Sequence, residues 1–120
     1  MKVMEHEQIR IRVEEGFSII ELAGQFVGGD ETDALQEVLQ DVANKETQVF
    51  IDMSDVSFAN SSFLSALLSA HAPITRRGAR LVIVGISPTI AQVFTITKLD
   101  LIFTIYDTIA QAFEHNNTND

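Results

Sequence analysis

The sequence has no cysteine and no tryptophan, only two prolines and one tyrosine, and 8 basic residues against 17 acidic ones. Without cysteine there is no disulfide framework, no thiolate nucleophile and no cysteine-bearing zinc site, so redox chemistry is excluded and a reducing compartment suits the chain. The shortage of lysine and arginine leaves a formal net charge of -9. Nucleic-acid binders draw most of their affinity from cations that displace counterions from phosphates, so nucleic acid is not an expected partner. No window approaches the roughly eighteen apolar residues that a membrane span needs. The start, Met1 to Gly16, is charged and alternating rather than basic and then apolar, unlike a secretory leader. The expectation is a cytoplasmic chain with no membrane insertion.

What is present is enough for one core. The chain has 120 residues, 46% of them apolar, long enough for one domain and too short for two ordinary ones. That domain is expected over residues 1–113, with 114–120 a polar, frayed tail. Ile9, Ile11 and Val13 alternate with Gln8, Arg10 and Arg12, the period-two pattern of a strand with one wet face, and Glu14-Glu15-Gly16 can turn it into a hairpin with Phe17 to Ala23. Gly24 to Gly29 reads as a flexible stretch ending at Asp30, a good N-cap. Ala34, Leu35, Val38, Leu39 and Val42 then recur on one helical face.

Gln48 to Met53 and Leu81 to Ile86 are short apolar runs suited to strands buried on both sides. Between them Ser61-Ser62 leads into Phe63, Leu64, Leu67, Leu68 and His71 at helical spacing, with Pro73 predicting a kink or an end near Ala72. Ser87-Pro88 opens a third helix carrying Ile90, Val93 and Phe94. Leu101 to Tyr106 is a last strand, and Thr108 with Gln111 forms a capping box before a final helix through Phe113. This order implies an α/β fold with a mixed, mostly parallel sheet of four to five strands and about four helices. Its expected core includes Ile19, Leu22, Leu35, Val38, Val49, Ile51, Leu67, Leu68, Val82 and Val84.

Catalytic chemistry is hard to find. His6, His71 and His115 share no ligand spacing with an acid, so no metal site is expected. Gly24 to Gly29 lacks both the GxGxxG order and a lysine-serine ending, so no nucleotide cradle follows and no cofactor is expected. Arg76, Arg77 and Arg80 around Gly78 read as a solvated turn. Asp52, at the end of a central strand, sits where response-regulator receivers keep their phosphoacceptor, but the acidic pair those proteins place after their first strand to hold magnesium is missing: the early strands are followed by Glu14-Glu15 in a hairpin turn and by Gln25-Phe26. It is expected to order the following loop together with Asp55.

The segment Ile51-Asp52-Met53-Ser54-Asp55-Val56-Ser57-Phe58-Ala59-Asn60-Ser61-Ser62-Phe63-Leu64 resembles the signature of STAS domains, in which a strand ends in an Asp-bearing loop and a Ser or Thr pair opens a helix. Further similarity lies in register at Arg77-Gly78, Ile86-Ser87-Pro88, Phe94, Leu99, Ile102-Phe103 and Tyr106-Asp107. The resemblance implies a STAS-like fold and a non-enzymatic binding module of the anti-sigma-factor-antagonist type. It also implies partners: an anti-sigma factor that is a serine protein kinase, and a PP2C-type phosphatase. By position the implied phosphoacceptor is Ser61, with Ser62 beside it, and the implied partner surface is Ser57, Asn60, Ser61, Ser62 and Phe63. Asn60 and Phe63 stand where the family commonly has Asp and Gly, and Val27 where it usually has an acid. Position alone gives Ser61 a second reading, as a helix N-cap. A second functional reading is a constitutive, unphosphorylated STAS subunit of a transport or stressosome-type complex.

Overall fold

The alternation at the start of the chain does form a hairpin. The computed structural model describes residues 6–118, with side chains through His115. The expectations for Met1 to Glu5, Asn119 and Asp120 fall outside the described residues. Strand β1 (Ile9–Glu14) turns through Glu15 and Gly16, both at positive φ, into antiparallel β2 (Phe17–Phe26). Two consecutive left-handed residues give a turn whose twist matches that of the strands. Then follow α1 (Asp30–Ala43), β3 (Gln48–Ala59), α2 (Ser61–Arg76), β4 (Arg80–Val84), α3 (Pro88–Ile96), a 3-10 turn at Leu99–Leu101, β5 (Thr104–Tyr106) and α4 (Ile109–Thr118). The five strands lie in the order β1-β2-β3-β4-β5, and every pair after the first is parallel.

Two cores flank the sheet, because successive side chains along a strand point to opposite faces. Val49, Ile51 and Met53 of β3, with Leu81 and Ile83 of β4, pack against Leu35, Val38 and Leu39 of α1, Phe63 and Leu67 of α2, and Phe94 of α3. The intervening Phe50, Val82 and Val84, with Ile19, face Ala112 and Phe113 of α4. Phe50 and Phe113 meet edge to face with centroids 5.3 Å apart. Nine of the ten expected core residues are buried. The exception is Leu68, which is 40% exposed. One residue advances a helix by about 100°, so Leu67 at the centre of the buried stripe leaves Leu68 at its edge.

Several boundaries differ from the sequence expectation. Strands β2 and β3 extend to Phe26 and Ala59, so Gly24 to Phe26 is sheet rather than flexible loop. Register shifts at Glu21/Ala23 and Gly24/Gln25 break the alternation there, which hides the pairing from a period-two search. Helix α2 passes through Pro73 to Arg76 instead of ending near Ala72. Buried Ile74 anchors its last turn, and the Thr75 hydroxyl donates to the His71 carbonyl at 2.8 Å. The last strand is shorter than Leu101 to Tyr106: Leu99 and Phe103 are buried around the 3-10 turn, leaving Leu101 79% exposed. Half of the Thr108–Gln111 capping box forms: Gln111 N donates to Thr108 Oγ1, but Gln111 Oε1 accepts from Asp107 N, one residue before the cap, both at 3.1 Å. Helix α4 nonetheless runs past Phe113 to Thr118, with the His115 ring against Tyr106 at 5.3 Å.

The hairpin also inverts one expectation. Ile9 packs against the core, but Ile11 is 38% exposed and Val13 70%. On the opposite face Arg12 is bonded to Glu14 and Glu21. The apolar side of β1 is thus dry only at its start.

Leu67→Ala is expected to lower unfolding free energy by about 2–5 kcal/mol, and Leu68→Ala by about 0.5 kcal/mol or less. Urea denaturation of the two variants measures both.

A serine pair at a helix start

Strand β3 hands over to α2 at Asn60, and this residue ties three segments together. Its backbone is extended, and its Oδ1 accepts from the amides of Ser62 at 3.0 Å and Phe63 at 3.3 Å, which makes it the N-cap of α2. Its own amide donates to the Phe26 carbonyl at 3.0 Å, and its Nδ2 donates to the Val27 carbonyl at 3.1 Å. Asparagine is matched to this place, since aspartate could supply the cap but not the second donor. Ser61 is therefore the first helical residue and not the cap, contrary to the positional reading of it. Its side chain, like that of Ser62, is exposed.

Phe63 does not belong to the surface. It is fully buried and packs against Phe26 with ring centroids 5.3 Å apart. One helical turn places it on the stripe shared with Ala66 and Leu67, so the apolar core claims it. The sequence expectation that Phe63 contributes to a partner surface is corrected on this ground. Ser57 is exposed, Asn60 is partly exposed, and Ser61 and Ser62 join them at the end of β3. Two apolar residues that sequence reasoning missed have large exposed areas on the flanking segments: Val27 (46%) and Phe58 (51%). Val27 follows buried Phe26 and so faces the other way, while extra residues in β3, which shift its register against β2, carry Phe58 outward without any periodic signal in the sequence.

The β2–α1 connection closes one side of the serine pair. Gly28 has a φ of +89°, and a Cβ there would lie 2.8 Å from the Ser62 Cβ. The loop fits against Ser62 because residue 28 has no side chain. Gly29, not Asp30, is the N-cap of α1, and it offers no side chain to the free amides. Glu31 replaces it: Oε2 accepts from the amides of Val27 at 2.7 Å and Gly29 at 3.1 Å, and from the Thr32 hydroxyl at 3.0 Å. Burial pushes the Glu31 carboxyl up, but the bonds from Val27, its own amide, Gly29 and Thr32 outweigh this and bring it down from 4.5 to about 2. The first turn of α1 is rich in acid, with Asp30, Glu31 and Asp33, whereas that of α2 has none. The positive end of the α2 dipole is thus not offset by a carboxylate of its own first turn.

Asp52 accepts from the amide of Ser54 at 2.9 Å and from its hydroxyl at 2.6 Å. It fixes the bulge in β3 rather than a loop, and Ser54, not Asp55, is its partner. Gly85 lies against this pair, where a Cβ would come within 2.2 Å of Ser54 Oγ. Among the described residues no three His, Asp or Glu side chains gather as a metal site. No described helix is long and apolar enough to cross a membrane.

The sheet order, the long β2–β3 pair and the serine-bearing helix start define one class of α/β domain, and the comparisons agree. The STAS domain family model matches residues 8–112, and the chain belongs to that family. No curated protein sequence matches it significantly. Among solved structures, a Thermotoga maritima protein assigned as an anti-sigma factor antagonist superposes with a TM-score of 0.81 at 22% identity, covering 91% of this chain and 94% of that one. The phosphorylated Bacillus cell fate determinant SpoIIAA gives 0.69 at 17% identity, covering 89% and 97%. A sulfate transporter family protein of Wolinella succinogenes gives 0.76 at 21% identity, covering 89% of each chain. At these identities the likeness establishes the fold.

Two outcomes test the geometry. Asn60→Ala removes the cap and should cost about 1 kcal/mol, whereas Asn60→Asp keeps Oδ1 and should cost clearly less; both are read by urea denaturation. Glu31 has a folded pKa below its unfolded value. Its contribution is therefore fully present above pH 4.5 and is lost as the pH falls toward 2. Melting temperature should fall across this window in the parent and fall less steeply in Glu31→Gln, which starts lower at neutral pH.

Proposed function

We propose that this STAS domain is a phosphorylation-switched protein-binding module of the anti-sigma-factor-antagonist type, not an enzyme. Unmodified, it binds an anti-sigma factor that is also a serine kinase. Phosphate on Ser61 releases that partner, and a PP2C-type phosphatase restores binding. The observation that carries this reading is the exposed serine pair in the first turn of α2, among exposed Ser57, Val27 and Phe58 and beside a glycine loop. The occurrence of SpoIIAA, a protein of the same fold, in both unphosphorylated and phosphorylated forms supports it.

The physics of the switch lies at the interface and not in the fold. A phosphate adds roughly -1.5 to -2 charge at neutral pH. At the start of α2, whose first turn holds no acid, helix dipole and amides tolerate that charge within the domain. A docked partner would have to desolvate the dianion against Val27, Phe58 and exposed Asp55, at a cost of several kcal/mol, roughly a hundredfold or more in affinity. Asn60 in place of the family's usual Asp keeps the cap intact, so the substitution bears on recognition by the kinase and leaves the helix start formed.

A second reading keeps the same surface without modification: a constitutive subunit of a transport or stressosome-type complex. The fold shared with the sulfate transporter family protein supports it.

The test pairs binding with phosphosite mapping. With the purified kinase partner, Ser61→Ala should bind like the unmodified chain and resist release by ATP, Ser61→Asp should bind about a hundredfold more weakly at unchanged melting temperature, and Ser62→Ala should still accept phosphate. Unchanged affinity for Ser61→Asp, with no phosphate on either serine in protein from native cells, would select the constitutive reading.

A further inference from the structure

Strand β1 is an edge of the sheet, and it presents an unusual combination: exposed apolar side chains and unpaired backbone groups on the same residues. In a two-residue hairpin the flanking pair, Glu14 and Phe17, exchanges hydrogen bonds, and such pairs alternate along the ladder. Arg12 with Ile19 and Arg10 with Glu21 follow, and the bond from Ala23 N to Gln8 O at 2.9 Å continues the same phase. The amides and carbonyls of Ile11 and Val13 therefore point away from β2, toward open solvent. Natural edges are usually blunted by proline, charge or bulges. Here the outward-bonding residues are isoleucine and valine, and the strand has neither proline nor bulge.

We infer that this edge pairs with β1 of a second copy of the same chain, antiparallel about a twofold axis at Arg12, joining the two sheets into one. Charge complementarity supports a second copy as the partner and favours an axis at Arg12 over one at Ile11. With the axis at Arg12, Ile11 faces Val13 of the second copy, and each such pair exchanges the reciprocal N–H to carbonyl bonds of a hydrogen-bonded antiparallel pair. On the other face Arg10 comes opposite Glu14 of the second copy. Arg10 is exposed and, among the described residues, has no ion pair in its own chain. The two Arg12 side chains meet at the axis, each already held by its own Glu14 and Glu21. Centring the axis on Ile11 instead would set Arg10 against Arg12 in both symmetric contacts, whereas the axis at Arg12 leaves one like-charge pair, at the axis itself, flanked by two Arg10–Glu14 pairs of opposite charge. An axis at Ile11 would also call on the Ile9 amide, which already donates to the His6 carbonyl at 3.1 Å.

The pairing brings Ile11 and Val13, exposed in the monomer, against each other across the seam, and leaves the serine pair free, because α2 follows β3, two strands in from this edge. It is independent of the partner and modification proposed above.

Sedimentation equilibrium of the full chain at physiological salt tests it by charge exchange. The parent should show a monomer–dimer equilibrium. Arg10→Glu alone sets glutamate against Glu14 in both symmetric contacts, and Glu14→Arg alone sets arginine against Arg10. Each should weaken self-association about tenfold or more. An equimolar mixture of the two should recover the parent's affinity as a heterodimer, since both contacts are then complementary. Val13→Lys, which leaves every residue of the Arg12 cluster in place, should also give a monomer with a native circular dichroism spectrum. A parent that stays monomeric to its solubility limit, single variants that associate as well as the parent, or a mixture no tighter than its components overturns the inference.

Discussion

The joint at Asn60 is the constraint on which the arrangement of β2, the β2–α1 loop and the start of α2 depends. One side chain satisfies two amides of α2 and one carbonyl of the β2–α1 loop, while its backbone continues the β2–β3 ladder. Helix starts leave several amides without partners, and a helix end packed against a loop must find them some other acceptor than water. Here the acceptor also welds the loop to the helix. Phe63 completes the weld from below, since its burial against Phe26 fixes the rotation of α2 and so turns Ser61 and Ser62 outward. The exposure of the serines and the burial of the phenylalanine are one fact about helical geometry.

Around that joint, missing side chains matter as much as present ones. Gly28 lets the loop lie on Ser62, and Gly85 lets the end of β4 lie on Ser54 and Asp52. Both have positive φ, so an L side chain would meet backbone strain as well as a neighbour. Glu31 then holds the glycine loop through backbone amides rather than through any contact of loop side chains. The loop that borders the serine pair is shaped from α1, and the pair itself is positioned from β3 and α2. The two faces of the sheet divide the labour: α1, α2 and α3 share one core with the site, while α4 closes the other through Phe17, Phe50 and Phe113.

The strongly acidic chain keeps carboxylates out of the first turn of α2 while crowding them into that of α1. The start of α2 is thus free of carboxylate charge, while α1 carries Glu31 folded back onto the loop amides of Val27 and Gly29. The same acidity raises the cost of self-association at long range. Contacts between copies must then rely on local complementarity, as arginine and glutamate on β1 can provide.

The sequence by itself determined the element order, the parallel sheet centre, most of the core and the family, because those rest on local periodicity, caps and an ordered motif. Val49, Ile51, Val82 and Leu35 announce their burial by spacing alone, and Thr108 with Gln111 announces a helix start by chemistry within four residues. Ser61 and Ser62 were legible as the pair that opens α2 through the motif around them. Tertiary structure decided what depends on distant partners. Phe63 turns inward because Phe26 waits there, Asn60 rather than Ser61 is the cap because Val27 and Phe26 supply its other bonds, and Glu31 rather than Asp30 serves the loop because it reaches back to Val27. Phe58 emerges at the surface because β3 slips register against β2, a property of the pair that neither strand's sequence carries. Leu68 and Val13 look like core residues by spacing and are not, because burial depends on how far the covering layer extends, and periodicity fixes only a side chain's direction.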